Sequence, residues 1–109
     1  MGTNVGEIKR RFKRVPINHR TGINFKGVYF FADGVSLSEG GMLVQSATEM
    51  KVGDIVSVEL FLEDEVVCAN GEVTYILPKK ENNKICVGLK FCSIDFDHLK
   101  LIRSYVRHS

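Results

Sequence analysis

Along the middle of the chain, Val56, Val58, Leu60 and Leu62 alternate with Ser57, Glu59, Phe61 and Glu63. Side chains on a strand alternate between faces, so the first set forms a buried face and the second an outer one. Glu63-Asp64-Glu65 makes a charged turn, and Val66 to Ile76 reads as the returning strand. Ile85, Val87, Leu89 and Phe91 repeat the alternation against Lys84, Cys86, Gly88 and Lys90, after a turn-rich stretch from Pro78 to Asn83. Nearer the start, Phe25 to Val35 is aromatic and β-branched and reads as extended chain, with Tyr29, Phe30 and Phe31 straddling the core. Gly41 to Gln45 is a short strand after a Ser/Gly turn, and Met50-Lys51-Val52-Gly53-Asp54 is the turn before the Val56 strand.

The period changes at the end of the chain. Phe96, Leu99, Ile102, Tyr105 and Val106 fall at helical spacing, with Ser93 or Asp95 placed to cap the N-terminus. Asp95 and Asp97 near the start, and Arg103 and Arg107 near the end, complement the helix dipole. The pattern predicts a mostly β chain: a six-stranded antiparallel, Greek-key-like β-barrel with a C-terminal α-helix. Closing the sheet hides edges that would otherwise pair with other chains.

Composition adds bounds to this picture. At 109 residues, 44% hydrophobic and 26% charged, the chain fits one domain that buries a core without staples. Its apolar runs are too short to cross a membrane, and no apolar stretch follows the basic start, so neither membrane insertion nor a secretory signal is expected. Cys68, Cys86 and Cys92 are odd in number and lack CxxC spacing, which fits buried, reduced thiols in a cytoplasmic protein. His19, His98 and His108 are scattered, and neither a zinc set, a nucleophile motif nor a glycine-rich phosphate loop occurs. An enzyme is therefore not expected, and no metal or resident cofactor is called for.

Charge is distributed unevenly. Residues 1–20 hold six basic side chains against one acid, and the other 89 residues hold nine basic and twelve acidic, so the net +2 divides into +5 and −3. Five of the six form the cluster Lys9-Arg10-Arg11-Phe12-Lys13-Arg14. A basic arm on a slightly acidic body points to an anionic partner for the arm. Arginine pairs bidentately with phosphate and with guanine O6/N7, and it stacks on base faces. Downstream, Ser36-Leu37-Ser38-Glu39-Gly40-Gly41 can present two hydroxyls on one face while Leu37 points to the core. Gly40 and Gly41 would permit positive φ and close backbone approach to a ligand.

Taken together, Arg10-x-x-x-Arg14 and the x-Ser38-x-x-Gly41 turn resemble the RxxxR and [DN]xSxxG motifs of the PilZ domain family, which binds cyclic di-GMP. The resemblance runs through nearly the whole chain: Val15-Pro16-Ile17, Gly41-Met42-Leu43-Val44, the alternating hairpin, Val87-Gly88-Leu89-Lys90-Phe91 and the terminal helix. It implies a flexible basic arm over residues 1–14 and a barrel with its helix over 15–109. It also implies that Arg10 and Arg14 clamp guanine edges and phosphates, with Arg11 and Lys13 as supporting charge. Ser38 would donate a hydrogen bond, and Gly40 and Gly41 would admit the ligand to the backbone. Ser36 departs from the pattern, standing where the family has Asp or Asn. A hydroxyl accepts guanine N–H groups more weakly than a carboxylate, and losing a charge-assisted bond of about 1.5–3 kcal/mol corresponds to roughly 10–100-fold in affinity. Asp33 could substitute only if the backbone bends at Gly34.

Three functions compete on this reading. The first is a stand-alone receptor whose arm orders over cyclic di-GMP and signals through an unidentified effector protein. The second is an adaptor of the same fold that acts by protein–protein contact without nucleotide, favoured by Ser36. The third is a small barrel binding RNA or single-stranded DNA through the arm, against which stands the lack of exposed aromatics interleaved with basic residues.

Overall fold

The computed structural model of the chain describes residues 12–78 and 83–109. Among these residues there are seven strands: β1 (Val15–Pro16), β2 (Arg20–Phe25), β3 (Val28–Ser38), β4 (Gly41–Ser46), β5 (Ile55–Leu62), β6 (Glu65–Pro78) and β7 (Ile85–Ile94). One helix, α1 (Phe96–Arg107), follows. β2 to β7 pair antiparallel in a ring, β2-β3-β4-β7-β6-β5 and back to β2, so the six strands close into a barrel. β1 lies outside the ring, where Val15 and Pro16 pair with Leu37 and Ser36 beyond the end of β2.

The alternation read in β5 is borne out, since Val56, Val58, Leu60 and Leu62 are all buried. They meet Ile23, Leu37, Val44, Val67, Val73 and Val87 in one core. α1 closes it with Ile102 and Val106, both buried, while Phe96 at its start stays exposed. Asp95 occupies the N-cap position without a side-chain cap bond, and Ser93 belongs to β7. His98 anchors the helix start instead: the Cys68 backbone N–H donates to its Nδ1 at 3.1 Å.

The stretch Phe25–Val35 is not a single extended segment. It belongs to a hairpin in which Lys26 (φ 54°) and Gly27 (φ 82°) turn the chain between β2 and β3. Positive φ at both central residues suits the twist of the flanking strands, but lysine is an unusual occupant of the first. In β3, Phe30 packs against the core, whereas Tyr29 and Phe31 face outward and are exposed. There Tyr29 donates to Glu59 Oε1 at 2.7 Å, a bond that raises the phenol pKa, and Arg20 lies 4.5 Å over the Phe31 ring. The thiols also depart from expectation. All three are free, but only Cys86 is buried; Cys68 lies between the inward-facing Val67 and Ala69 and so points out, and Cys92 is exposed near the end of β7.

Candidate functional site

Two irregularities in the barrel wall create the site. In β3, Ala32 and Gly34 are buried, and an uninterrupted strand would next bury Ser36. The register shifts between Gly34 and Ser36, so Leu37 takes the core position and Ser36 and Ser38 turn outward. In β6, Val67, Ala69, Gly71 and Val73 face in, and the register shifts again between Val73 and Tyr75. Tyr75 is consequently exposed, and Ile76 packs on the core in its place. Bulges re-aim side chains in this way at barrel rims and beside binding sites.

Both re-aimed segments face one open cleft of about 530 Å³, lined by Phe12, Arg14, Ser36, Ser38, Gly40, Gly41, Met42, Leu43, Tyr75, Gly88, Leu89 and Lys90. The strand register sets its floor. Ser36 pairs with Leu43, Leu43 with Gly88, and Gly88 with Tyr75. In the next row Ser38 pairs with Gly41 and Gly41 with Lys90. Gly88 carries no side chain and is covered by the Tyr75 ring, so the serines and the Tyr75–Lys90 side stand on opposite sides of the cleft with Leu43 and Gly41 between them.

The β3–β4 turn is held from within and from α1. Ser38 Oγ accepts from the Gly40 N–H at 3.2 Å and donates to the Gly41 carbonyl at 3.4 Å. The Gly40 carbonyl accepts from the Phe91 N–H at 2.9 Å. Glu39 accepts from Arg103 Nε of α1 at 2.8 Å, which ties the turn to the helix. Neither turn glycine has positive φ. Gly41 is demanded by packing, because a Cβ there would overlap the Leu89 carbonyl of β7. At Gly40 a Cβ would lie 3.0 Å from the Phe12 ring, so the basic cluster meets the turn at Phe12.

Of the sequence-predicted residues, Arg14, Ser36, Ser38, Gly40 and Gly41 are therefore brought together. Arg10 and Arg11 lie outside the described residues, as does most of the proposed arm. Asp33 does not reach the cleft. It precedes the bulge, lines a separate depression with His19 and Gln45, and binds Lys84 Nζ at 2.6 Å. Tyr75 and Lys90 were not singled out as site residues, because nothing local announces the bulge that turns Tyr75. Gly88 within a strand was the available signal, since such a glycine marks close approach of another group.

Electrostatically the cleft suits an anion. Among the described residues Arg14 and Lys90 line it, no carboxylate does, and Arg14 joins neither of the two ion pairs found there. No group of His, Cys, Asp and Glu suited to a metal occurs among the described residues. No helix described is long and apolar enough to cross a membrane.

The model of the PilZ domain matches residues 8–108, and the chain belongs to that family. Solved structures agree on the fold. The Bacillus subtilis inhibitor of motility MotI superposes with TM-score 0.81 at 15% identity, over 92% of this chain and 50% of that one. PlzA of Borreliella burgdorferi, solved in complex with c-di-GMP, superposes at 0.69 with 19% identity, over 94% of this chain and 43% of its own. The PilZ domain of Escherichia coli YcgR with c-di-GMP gives 0.68 and 14%, over 92% of this chain and 90% of the domain. The chain thus spans about half the length of the first two. No curated protein matches its sequence.

Proposed function

We propose that this chain is a cyclic di-GMP receptor that signals by contact with a partner protein. The observation that carries the proposal is the convergence of Arg14, Ser36 and Ser38 on one cleft that, among the described residues, is lined by basic groups and by no carboxylate. PlzA and the YcgR domain, which share the fold, are solved with this nucleotide, and that supports the choice of ligand. Arg14, joined by Arg10 and Arg11 from the arm, would hold phosphates and guanine edges. Ser36 and Ser38 would bond the base edge, and the Gly40–Gly41 backbone would lie beneath the ligand.

The mechanism is an ordering of the arm. Like charges in Lys9-Arg10-Arg11-Phe12-Lys13-Arg14 repel one another, and two phosphates between them relieve that repulsion. Phe12 already rests on Gly40, so the arm would fold back over the turn from this anchor. The surface so formed, with α1 attached through Glu39 and Arg103, would meet the effector. No covalent step is involved, and the reading is of a regulatory module.

Calorimetric titration with cyclic di-GMP tests the proposal. Saturable binding at micromolar Kd or tighter, abolished in Arg14→Ala, is expected. Ser36 favours the competing reading, an adaptor without nucleotide. Wild-type protein that takes up no heat at high ligand concentration would establish the adaptor and remove the receptor.

A further inference from the structure

On the side of the barrel away from the cleft, three aromatic rings stand together at the surface. In the closed ring of strands β2 lies opposite β7 and β5 opposite β4, so an outer face centred on β2 and β5 looks away from the cleft. On it Tyr29 and Phe31 meet edge to face with centroids 5.5 Å apart, and Phe61 lies 6.5 Å from Phe31. Tyr29 and Phe31 are each 47% exposed and Phe61 36%, with Val66 paired to Phe61 and exposed as well. Single exposed apolar residues are ordinary, whereas a contiguous aromatic patch with a polar rim marks a contact surface. The rings are also held before any partner arrives. Tyr29 lies across Gly22, where a Cβ would overlap its hydroxyl and ring, and it donates to Glu59, while Arg20 lies 4.5 Å over Phe31. Aromatic anchors fixed in this way lose little freedom on binding.

The charges on this face indicate what covers it. Gly22 pairs with Glu59 on β5 and with Phe31 on β3, and Arg20 is the next outward position along β2. The line from Tyr29 through Gly22 to Phe61 therefore runs between Arg20 and Glu59. Arg20 joins neither ion pair found among the described residues, and Glu59, bonded to Tyr29 through one oxygen, can accept further donors. A two-fold axis laid along that line stacks Tyr29 and Phe61 on their own equivalents. It also sets Arg20 of one copy opposite Glu59 of the other, twice. A two-fold interface requires such self-complementarity. We propose that two copies of this chain pair through the Tyr29–Phe31–Phe61 face, with their clefts directed away from each other. Rings of about 150–250 Å², exposed by a third to a half, supply roughly 150–350 Å² of aromatic surface per copy. A standard interface takes about 800 Å² per partner, so even with its rim the contact is small and the dimer is a weak, concentration-dependent one.

Sedimentation equilibrium of the full chain, over a micromolar to millimolar series in reducing buffer, tests the pairing. The reductant keeps the exposed Cys68 and Cys92 from linking copies. The wild-type mass should climb from that of one chain toward that of two. Arg20→Glu and Glu59→Arg each set like charges opposite one another twice per dimer, and each should raise the dimer Kd by at least about tenfold. Mixing these two variants in equal amounts restores an opposite-sign pair at both contacts, so the mixture should regain the dimer. Phe61→Ser, which removes a ring from the axis, should weaken pairing and not be rescued by mixing with either charge variant. Circular dichroism checks that each variant is folded. Wild-type protein that stays monomeric throughout would overturn the proposal and leave the face to a different protein. Charge variants that dimerise like the wild type, or a mixture that stays monomeric, would overturn it equally. None of these outcomes bears on nucleotide binding, which titration of the same samples reads separately.

Discussion

A serine hydroxyl and an aspartate carboxylate offer a guanine base different things. The carboxylate accepts two charge-assisted bonds from N1–H and N2–H, whereas the hydroxyl accepts more weakly and from one side. Ser36 nonetheless lines the cleft, because the bulge after Gly34 turns it outward. Ser36→Asp should therefore raise cyclic di-GMP affinity by roughly 10–100-fold, as read by titration calorimetry. An unchanged Kd would show that Ser36 does not touch the base. The nearest upstream carboxylate offers no substitute. Asp33 is held by Lys84 at 2.6 Å, and both side chains are at least a third exposed, so that pair adds little stability.

At the scale of elements, the two glycines of the β3–β4 turn separate into different roles. Gly41 belongs to the seam between β4 and β7, where a Cβ would overlap the Leu89 carbonyl. Backbone cannot move aside as a side-chain tip can. Gly41→Ala should cost about 1–3 kcal/mol in denaturant unfolding, by forcing that seam apart. Gly40 faces the Phe12 ring, at 3.0 Å, and that ring belongs to the basic segment. Gly40→Ala should leave the unfolding midpoint nearly unchanged and displace Phe12, which aromatic NMR shifts would register. Equal loss of stability in the two variants would refute this division. The helix is tied to the same turn through Arg103 and Glu39, so turn and helix present one continuous surface beside the cleft.

For the molecule as a whole, the barrel needs its helix. Six strands close on one another, yet the core extends to Ile102 and Val106 of α1, and Ile102 is fully buried. Without α1, apolar core surface would face water. Ile102→Ala should destabilise the domain by about 2–5 kcal/mol in equilibrium unfolding, a large share of the roughly 5–15 kcal/mol available to a domain of this size. The loss should appear in one cooperative transition for strand and helix signals together. A helix that melted separately, with the barrel transition unmoved, would show that α1 is an appendage.

The sequence by itself determined the class of fold and half of the site. Period-two alternation in β5 and β7 and helical spacing from Phe96 onward are local consequences of backbone geometry, so they were legible in the chain. The Ser36 and Ser38 hydroxyls and the Arg14 guanidinium were legible for the same reason, since chemistry and spacing are carried by neighbours in sequence. Tertiary structure decided the rest. The Lys26–Gly27 turn lacks the usual Asn or Asp, and the outward rings of Tyr29 and Phe31 depend on which face meets the core. The register shifts at Val35 and Thr74 leave no mark in a local pattern, yet they decide that the serines and Tyr75 face one cleft. Register is fixed by pairing between strands distant in sequence, and that pairing, rather than any motif, placed Tyr75 and Lys90 opposite the serines.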